Sequence, residues 1–398
     1  MERDETIIVG GGIGGLSAAL MLSRAGLRVR VLEQADEFAE IGAGLQLAPN
    51  ATRLLHRHGL LDDLLDTAVQ PRQLLAMNAL SGQKLTALDL EQVRSRYGAP
   101  YIVMHRHDLL DVLVRHCRKE PSLALETAKQ VTTVEDVGDH VVVACEDGST
   151  YRSEVLIGAD GLSSTVRPLV VDDELQPTGY VAYRGAVPLE TVERHSDLDA
   201  VVVWIGPGMH FVQYPLRRGE LYNQVAVFRS EEYRQGRQDW GTPEELDRVF
   251  SAACEAIRVP LRSLWRDRRW PMHDRPPASR WSVGRVTLLG DAAHPMLQYL
   301  AQGACQAIQD AAALAEELPR LPRTGPWPAG DVAAALRGYE RRRLAQASRV
   351  QRTARIWGDI WHVDGLAMAL RDEAFRLRAE DDFSRIDWLW EDTERSQP

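Results

Sequence analysis

The chain has 398 residues, 44% hydrophobic and 26% charged, a globular composition with room for two or three lobes around a large core. Its formal net charge is −10, and no Lys/Arg-dense stretch carries interleaved aromatic residues, which disfavours a nucleic-acid partner. The four cysteines stand far apart without a C-x-x-C pair, so we expect a reduced, cytoplasmic chain and no dithiol redox site.

The first predicted strand covers residues 6–9, so we expect no signal peptide, and no apolar run reaches membrane-spanning length. Gly10, Gly12 and Gly15 follow the strand with G-x-G-x-x-G spacing, and a helical pattern begins directly after them. A second strand, residues 28–32, ends at Glu33, whose carboxylate can accept hydrogen bonds from both ribose hydroxyls of an adenosine. This order of elements predicts a dinucleotide site with the pyrophosphate at the helix N-terminus.

The next segment of interest is a small-residue stretch at residues 41–46, either a loop against a cofactor or a flexible turn. We predict a helix and a helical turn over residues 50–65, then a strand pair over 74–90. A strand at 101–104 leads into a helix that Asp108 can cap, and Arg106 beside it has the pattern of a solvated loop arginine. Residues 122–134 and 140–145 have strand patterns.

The second half of the chain is predicted to contain two more strand-to-loop-to-helix junctions. The buried strand at 155–157 ends in Asp160-Gly161 with helical spacing beyond it, and the strand at 285–289 ends in Gly290-Asp291 before a helix over 301–318. Between them, alternation predicts a separate antiparallel sheet, and a helical pattern covers 244–264. A proline-rich linker precedes two amphipathic helices. The sheet strands are predicted at residues 180–188, 201–205, 210–214 and 222–228, the linker at 319–330 and the two helices at 331–355 and 366–380.

The three junctions together resemble those of the flavin-dependent aromatic hydroxylases, the single-component monooxygenases built like para-hydroxybenzoate hydroxylase. The resemblance covers essentially the whole chain. It implies an α/β fold: a Rossmann-like FAD-binding domain, an inserted antiparallel-sheet substrate domain and a C-terminal helical extension. The implied boundaries are 1–72, 101–172 and 276–330 for the FAD-binding domain, 73–100 and 173–275 for the substrate domain, and 331–398 for the C-terminal helices.

The resemblance also implies the cofactor contacts. Glu33 would hold the adenosine ribose, Arg106 the phosphate and ribityl region, and Asp291 the ribityl chain, with the following helix N-terminus directed at the isoalloxazine. The full implied set is Gly10, Gly12, Ile13, Gly14, Gly15, Glu33, Gln34, Ala43, Arg106, Val131, Asp160 and Asp291. Because only one dinucleotide fingerprint is visible, we expect NADH or NADPH to bind transiently as co-substrate. O₂ is the other co-substrate, and we predict no metal.

Within this family, four stretches resemble the 3-hydroxybenzoate 6-hydroxylases more than the salicylate hydroxylases: residues 182–185, 210–215, 297–301 and 387–390. One departure is Asn78, at a position where that branch suggests an acidic residue, and we include Asn78 among the candidate site residues. The implied reaction converts 3-hydroxybenzoate to 2,5-dihydroxybenzoate (gentisate) through a flavin C4a-hydroperoxide. The resemblance also makes a homodimer plausible.

The candidate catalytic side chains beyond Asn78 are His210, Tyr214 and Gln298. His210 and Tyr214 are four residues apart in a strand pattern, so both leave one face, roughly 13 Å apart along the strand. They line a pocket wall or lie on an exposed sheet face. His210 is the better base, with a reference pKa near 6.5 against about 10 for tyrosine, and Gln298 would orient the substrate from the flavin side.

Three other functions are open at this stage. A decarboxylating salicylate hydroxylase, or another phenolic-acid hydroxylase, would have the same fold and cofactor. An FAD oxidase or dehydrogenase would not insert oxygen, and an FAD-binding interaction protein would not catalyse a reaction.

Overall fold

The computed structural model describes residues 4–39, 43–193, 195–321 and 326–391, and the following bounds refer to those ranges. The strands are β1 Asp4–Val9, β2 Val29–Leu32, β3 Gly44–Leu47, β4 Gln73–Asn78, β5 Lys84–Asp89, β6 Ile102–His105, β7 Leu123–Glu126, β8 Val131–Asp136, β9 Val141–Cys145, β10 Thr150–Gly158, β11 Gln176–Pro188, β12 Ala200–Gly206, β13 Met209–Leu216, β14 Leu221–Arg229, β15 Trp270–Asp274, β16 Ser282–Val283 and β17 Val286–Leu288.

The helices pack on both sheets and form the C-terminal part of the chain. They are α1 Ile13–Arg24, α2 Pro49–Arg57, α3 Leu61–Leu65, α4 Val93–Tyr97, α5 Arg106–Cys117, α6 Glu231–Arg234, α7 Pro243–Phe250, α8 Glu255–Arg258, α9 Gly303–Glu317, α10 Ala329–Trp361, α11 Gly365–Arg376 and α12 Asp387–Trp390. Within the described ranges, no helix is long and apolar enough to cross a membrane.

The first sheet has the order β16-β17-β10-β1-β2-β7, and β8 and β9 extend from β10. Its central strands β17, β10, β1, β2 and β7 run parallel, and β1 is buried on both faces because Ile7 and Ile8 are both fully buried. The parallel order brings the carboxyl ends of β1, β10 and β17 to one edge. The three junctions predicted from the sequence therefore meet there.

The second sheet has the order β15-β11-β14-β13-β12-β4-β5. It is antiparallel except for the β12–β4 pair, which is parallel, so the prediction of an antiparallel sheet is confirmed with this one exception. One face packs under α7 and α8, with Phe211 and Phe228 in its core. The other face, which carries Val212 and Tyr214, packs toward the first sheet. The fold class is confirmed, and the domain boundaries remain a prediction.

Several predicted elements differ from the structure, each for a local reason. The stretch 122–134 is two strands, because the positive φ of Ala128 (53°) interrupts it. The helical stretch 244–264 is interrupted after α7 and again at Pro260. The helix predicted from residue 301 begins at 303, since Ala301 has a left-handed conformation.

The N-cap of α5 is also different from the prediction. The side chain of His105 accepts a hydrogen bond from the backbone N–H of His107, while Asp108 lies in the first turn. The Asp108 carboxylate instead accepts hydrogen bonds from Arg217, at 2.6 and 3.0 Å, which joins α5 to the β13–β14 turn. Part of the predicted linker, residues 322–325, lies outside the described residues.

Candidate functional site

The turn between β1 and α1 is built for close backbone approach. Gly10 has φ +103°, and a Cβ there would lie 2.5 Å from the carbonyl oxygen of Ala159. A Cβ on Gly15 would overlap the carbonyl oxygen of Gly10. The helix begins after Gly12 without a side-chain cap, so its first N–H groups are available to an anionic ligand.

Glu33 reaches back over this turn. Its carboxylate accepts hydrogen bonds from the backbone N–H groups of Gly11 (2.7 Å) and Ala35 (2.9 Å). Acidic side chains in this position hold a ribose in dinucleotide folds. The uncapped helix end, the glycine cradle and this carboxylate therefore fit the adenosine diphosphate half of FAD.

The other predicted cofactor residues of this region differ in exposure. Ile13 is buried in the core, Gly14 packs against Leu289, and Gln34 is exposed. Val131 is buried at the start of β8, two residues after Lys129, whose N–H donates to the Glu33 carbonyl oxygen at 2.8 Å. These residues thus lie around the turn, and their contacts with FAD remain a prediction.

The second junction serves chiefly to hold its own loop. The Asp160 carboxylate accepts hydrogen bonds from the Ser164 hydroxyl (2.5 Å) and from the N–H groups of Thr165 (2.7 Å) and Val166 (3.2 Å). These bonds take up the first N–H groups of the predicted helix, and only a 3₁₀ turn, Arg167–Leu169, forms. The prediction of a strand-to-helix junction here is wrong.

Arg167, which sequence reasoning did not select, links the second junction to the third. Its side chain is 2% exposed and donates to the carbonyl oxygens of Ala292 (2.6 Å) and Ala293 (2.9 Å). Its guanidinium also pairs with Asp173 at 2.6 Å. Since a buried arginine is placed by its acceptors, only the assembled fold shows this link.

A buried ionic cluster supports the third junction from behind. The Asp310 carboxylate on α9 accepts from the Gly290 N–H (3.1 Å), lies 2.5 Å from His294 Nε2 and accepts from Arg343 Nε (2.8 Å). Burial opposes ionisation of Asp310, but His294 and Arg343 outweigh it and hold the pKa of this carboxyl low. The cluster therefore fixes the start of the loop that carries Asp291.

We name residues 290–302 the flavin loop. Asp291 and Gln298 are exposed on it, while Tyr299 is buried, with its ring centroid 5.4 Å from that of His210. Asp291 Oδ1 lies 3.9 Å from the position of a Cβ on Gly303, the first residue of α9. The predicted ribityl contact Asp291 thus lies beside a helix N-terminus, as expected for an anion-stabilising position.

The small-residue stretch at 41–46 continues into a strand. Residues 41 and 42 lie outside the described residues, and β3 pairs antiparallel with β6 from Gly44 onward. The carbonyl oxygen of Ala43 accepts from the Arg106 N–H (3.1 Å), and the Gly44 N–H donates to Asn223 Oδ1 (2.7 Å). A Cβ on Gly44 would lie 2.6 Å from the Tyr214 ring, so only glycine permits this approach.

Tyr214 is buried among polar partners at this contact. Gln46 forms a side-chain hydrogen bond with its hydroxyl and also accepts one from the Tyr101 hydroxyl. Burial raises the pKa of Tyr214, although the nearby Arg106 and Arg184 cations oppose the rise. Tyr214 therefore stays protonated at neutral pH. Gln46, Tyr101 and Arg184 were not predicted as site residues, because they lie in three different segments.

His210 lies on the same face of β13 as Tyr214, and both are at most 3% exposed. The interpretation as an exposed sheet face is therefore wrong. The His210 ring lies between Tyr299 and Trp361, and its Nδ1 is 2.9 Å from Nε2 of His362. Burial, followed by the neighbouring His362, lowers the pKa of His210 well below its usual value. The imidazole is neutral at pH 7.

Asn78 lies two strands from His210, because both are register partners of Ile205. Its Oδ1 accepts from the N–H groups of Leu80 and Ser81 (both 2.9 Å), and its Nδ2 donates to Asp372 Oδ2 on α11 at 2.7 Å. The amide thus holds the β4–β5 turn and α11. Among the described residues, no hydrogen bond joins Asn78 to Tyr214 or Gln298.

These features define a flavoprotein whose FAD site lies along the first sheet. A family model described as FAD binding domain matches residues 3–354. The chain belongs to this family, and both the predicted cofactor, FAD, and the recognition as a flavin-dependent hydroxylase are confirmed.

Three known proteins illustrate the similarity. The chain is 39% identical over 395 residues to 3-hydroxybenzoate 6-hydroxylase 1 of Aquipseudomonas alcaligenes, covering 98% of both chains. It is 37% identical over 388 residues to 3-hydroxybenzoate 6-hydroxylase of Polaromonas naphthalenivorans strain CJ2, covering 96% and 95% of the two chains. The crystal structure of Klebsiella pneumoniae HpxO with FAD and uric acid superposes with a TM-score of 0.82 at 26% identity, covering 99% and 97%.

Proposed function

We propose that this protein hydroxylates 3-hydroxybenzoate at the carbon para to its hydroxyl, giving 2,5-dihydroxybenzoate. The observation that carries the proposal is the pairing of neutral His210 and protonated Tyr214 on one buried face, next to the β3 strand and the flavin loop. The similarity to two 3-hydroxybenzoate 6-hydroxylases at 37% and 39% identity supports 3-hydroxybenzoate as the substrate.

The charges around Tyr214 favour an acidic aromatic ligand. Arg106 from α5 and Arg184 from β11 both exert a positive potential at its hydroxyl. Arg184 lies on the same face, because its register partner Val225 is also the partner of Val212. We assign the Tyr214 hydroxyl as a donor to the substrate carboxylate, with the two cations stabilising its negative charge.

His210 then acts at the other end of the ring. When bound, FAD would reduce O₂ with electrons from NADH or NADPH and transfer one oxygen atom to the substrate. His210 accepts the phenol proton, and the phenolate directs electron density to the para carbon. Gln298 on the flavin loop orients the substrate from the flavin side. The buried wall excludes water, which limits release of H₂O₂.

The remaining assignments concern the cofactors and the assembly. We assign Glu33 to the adenosine ribose, Arg106 to the phosphate and ribityl region and Asp291 to the ribityl chain. NADH or NADPH binds transiently at the surface, since the sequence carries one dinucleotide fingerprint. We further propose a homodimer in the cytoplasm, on the resemblance to the family alone.

The experiment is a turnover assay of the FAD-loaded protein with NADH, ¹⁸O₂ and 3-hydroxybenzoate. Chromatography and mass spectrometry should show 2,5-dihydroxybenzoate with one ¹⁸O atom and the carboxylate retained. Turnover of salicylate to catechol with loss of CO₂ would instead assign the decarboxylating reaction. Consumption of O₂ to H₂O₂ alone, with no labelled product, would assign an oxidase.

The role of His210 is tested in the same assay. His210→Ala should slow hydroxylation by about 10²–10⁴-fold while flavin reduction by NADH keeps its rate, because the variant removes only the proton acceptor. The loss should shrink at high pH, where the phenol ionises unaided. Tyr214→Phe and Gln298→Ala should instead raise the H₂O₂ yield. Normal coupled turnover of His210→Ala at neutral pH would refute this role.

A further inference from the structure

His362 is the residue that directly follows α10, and the structure brings its ring against that of His210. The two imidazoles lie 5.1 Å apart between centroids at an interplanar angle of 23°, with His362 Nε2 2.9 Å from His210 Nδ1. The carbonyl oxygen of His362 accepts a hydrogen bond from Gly208 N–H at 3.1 Å, in the β12–β13 turn. The side chain of His362 thus contacts the strand that carries His210, and its backbone is bonded to the turn that precedes this strand.

Two further contacts fix the orientation of His362. Its ring stacks on Tyr180 of β11, with centroids 4.8 Å apart at 21°. Arg371 of α11 donates to the carbonyl oxygen of Trp361 at 2.6 Å and so closes the C-terminal end of α10. The His362 ring is therefore held between Tyr180 and His210, and its Nε2 is directed at His210 Nδ1.

The environment keeps His362 neutral. Burial, with Arg229 of β14 and Arg371 of α11 adding to it, lowers the pKa of His362 to about 3. The rings of Tyr180 and Tyr299 also pack on the pair, and burial raises the pKa values of their hydroxyls, so both are uncharged at neutral pH. Between two neutral imidazoles, a 2.9 Å contact requires one nitrogen to donate and the other to accept.

We propose that His362 is the positioning residue for His210, with its Nε2 accepting a hydrogen bond from His210 Nδ1–H. This inference rests on the proposed function. The tautomer leaves His210 Nε2 without a proton, so it can accept the hydroxyl proton of the substrate: the phenol O–H bond breaks and an Nε2–H bond forms. The resulting imidazolium keeps its bond to His362, and its charge is balanced by the adjacent phenolate.

The opposite tautomer would prevent this step. If His362 Nε2–H donated to His210 Nδ1, the proton of neutral His210 would sit on Nε2, and that nitrogen could not accept another. The two tautomers have the same heavy-atom positions, but only the first leaves His210 Nε2 able to accept a proton. An acceptor at position 362 is therefore required, whereas stacking on Tyr180 requires only a flat ring.

The test compares His362→Phe, which keeps the ring and removes the acceptor, with His362→Gln, whose amide oxygen can accept from Nδ1–H. With NADH and 3-hydroxybenzoate at pH 7, His362→Phe should slow hydroxylation by about 10–100-fold and leave flavin reduction within about twofold. His362→Gln should recover most of that loss. The exposed His195→Asn is the matched control and should behave as the unmodified protein.

A double variant separates action through His210 from a purely structural role. In a His210→Ala background, His362→Phe should cost no further hydroxylation rate, because the group it orients is gone. Multiplicative losses, or wild-type hydroxylation by His362→Phe, would overturn the proposal. If His210→Ala alone has no effect on hydroxylation, the proposed role of His210 is refuted. That outcome is distinguishable from a failure of the His362 proposal, in which His210→Ala is slow and the two losses multiply.

A measurement on the unmodified holoenzyme does not depend on the folding of any variant. Nitrogen NMR of ring-¹⁵N-histidine-labelled protein reports which nitrogen of His210 carries the proton. The proposal expects the Nδ1–H tautomer for His210, with a hydrogen-bonded acceptor signal for His362 Nε2. A proton on Nε2 of His210 in the substrate-free enzyme would contradict it.

Discussion

The flavin loop joins two groups of opposite character: its own His294 contacts the Asp310 carboxylate, and its Tyr299 packs on His210. His294, fully buried, lies 2.5 Å from the Asp310 carboxylate in a cluster that also contains Arg343. His210, 1% exposed, pairs with another histidine between aromatic rings. The first histidine contacts the buried ion pair of Asp310 and Arg343, and the second belongs to a pair that burial keeps neutral.

The difference matches what each side of the loop must do. A buried ion cluster is costly to disturb, so it holds a backbone segment in one position. A neutral imidazole on a buried surface that excludes water can take up a proton and give it back, because no fixed counter-charge competes for it. Tyr299 connects the two sides, since it belongs to the flavin loop and packs on His210. Three predictions test this contrast.

The largest expected effect is on the ionic side. Asp310→Asn should lower the free energy of unfolding by about 3–5 kcal/mol, because Arg343 would remain as a buried charge without its carboxylate. FAD content should fall with it, since Gly290 loses its anchor. Denaturant unfolding and flavin absorbance measure both effects.

The matched control for this variant is Asp111→Asn, which breaks the exposed pair with Arg115 on α5. It should cost about 0–1 kcal/mol. If Asp310→Asn is no more destabilising than this control, the cluster does not hold the flavin loop.

The neutral side predicts that the free energy of unfolding falls between pH 7 and 5 by about 2 kcal/mol for each histidine, about 4 kcal/mol for the pair. The pKa values of His210 and His362 are below their unfolded value near 6.5, so the unfolded state binds more protons. Their contribution is complete above pH 6.5 and is lost as pH falls below it. Unfolding free energies measured at successive pH values give the slope.

Two other groups must be separated from this pair. The pKa values of His58 and His105 are also lowered by burial, so part of the slope stays after the pair is removed. A His210→Phe/His362→Phe protein should show a clearly smaller slope between pH 6.5 and 5. Asp310, whose pKa is held low, adds to the pH dependence of stability only below the unfolded aspartate pKa near 3.9, which is outside this pH range. An unchanged slope in the double variant would show that the pair is not neutral in the folded protein.

The smallest predicted effect concerns the contact between the two sheets. Gly44→Ala should cost about 1–2 kcal/mol of stability and raise KM for the aromatic substrate, because its Cβ would displace the Tyr214 ring. Gly330→Ala in the first turn of α10 meets nothing within 4 Å and should be neutral or slightly stabilising. Equal KM values for the two variants would show that the contact between Gly44 and Tyr214 does not affect binding of the aromatic substrate.

The parts of the site that could be predicted from sequence are those in which neighbours along the chain do the chemistry. The G-x-G-x-x-G turn and Glu33 belong to one β-α-β unit, whose geometry is set by local rules. His210 and Tyr214 share a face because a strand has period two. Asn78 is different: its amide faces Asp372, almost three hundred residues later, and no local pattern contains that contact.

The sequence by itself determined the fold class, the FAD turn, the flavin loop and the strand face that carries His210 and Tyr214. Only the tertiary structure decided the partners of these groups: Arg167 across two junctions, Asp310 behind the loop, Gln46 and Tyr101 beside Tyr214, and His362 against His210. The physical reason is that backbone propensity and periodicity act over a few residues. Burial, hydrogen-bond partners and pKa shifts depend on side chains that approach from distant segments.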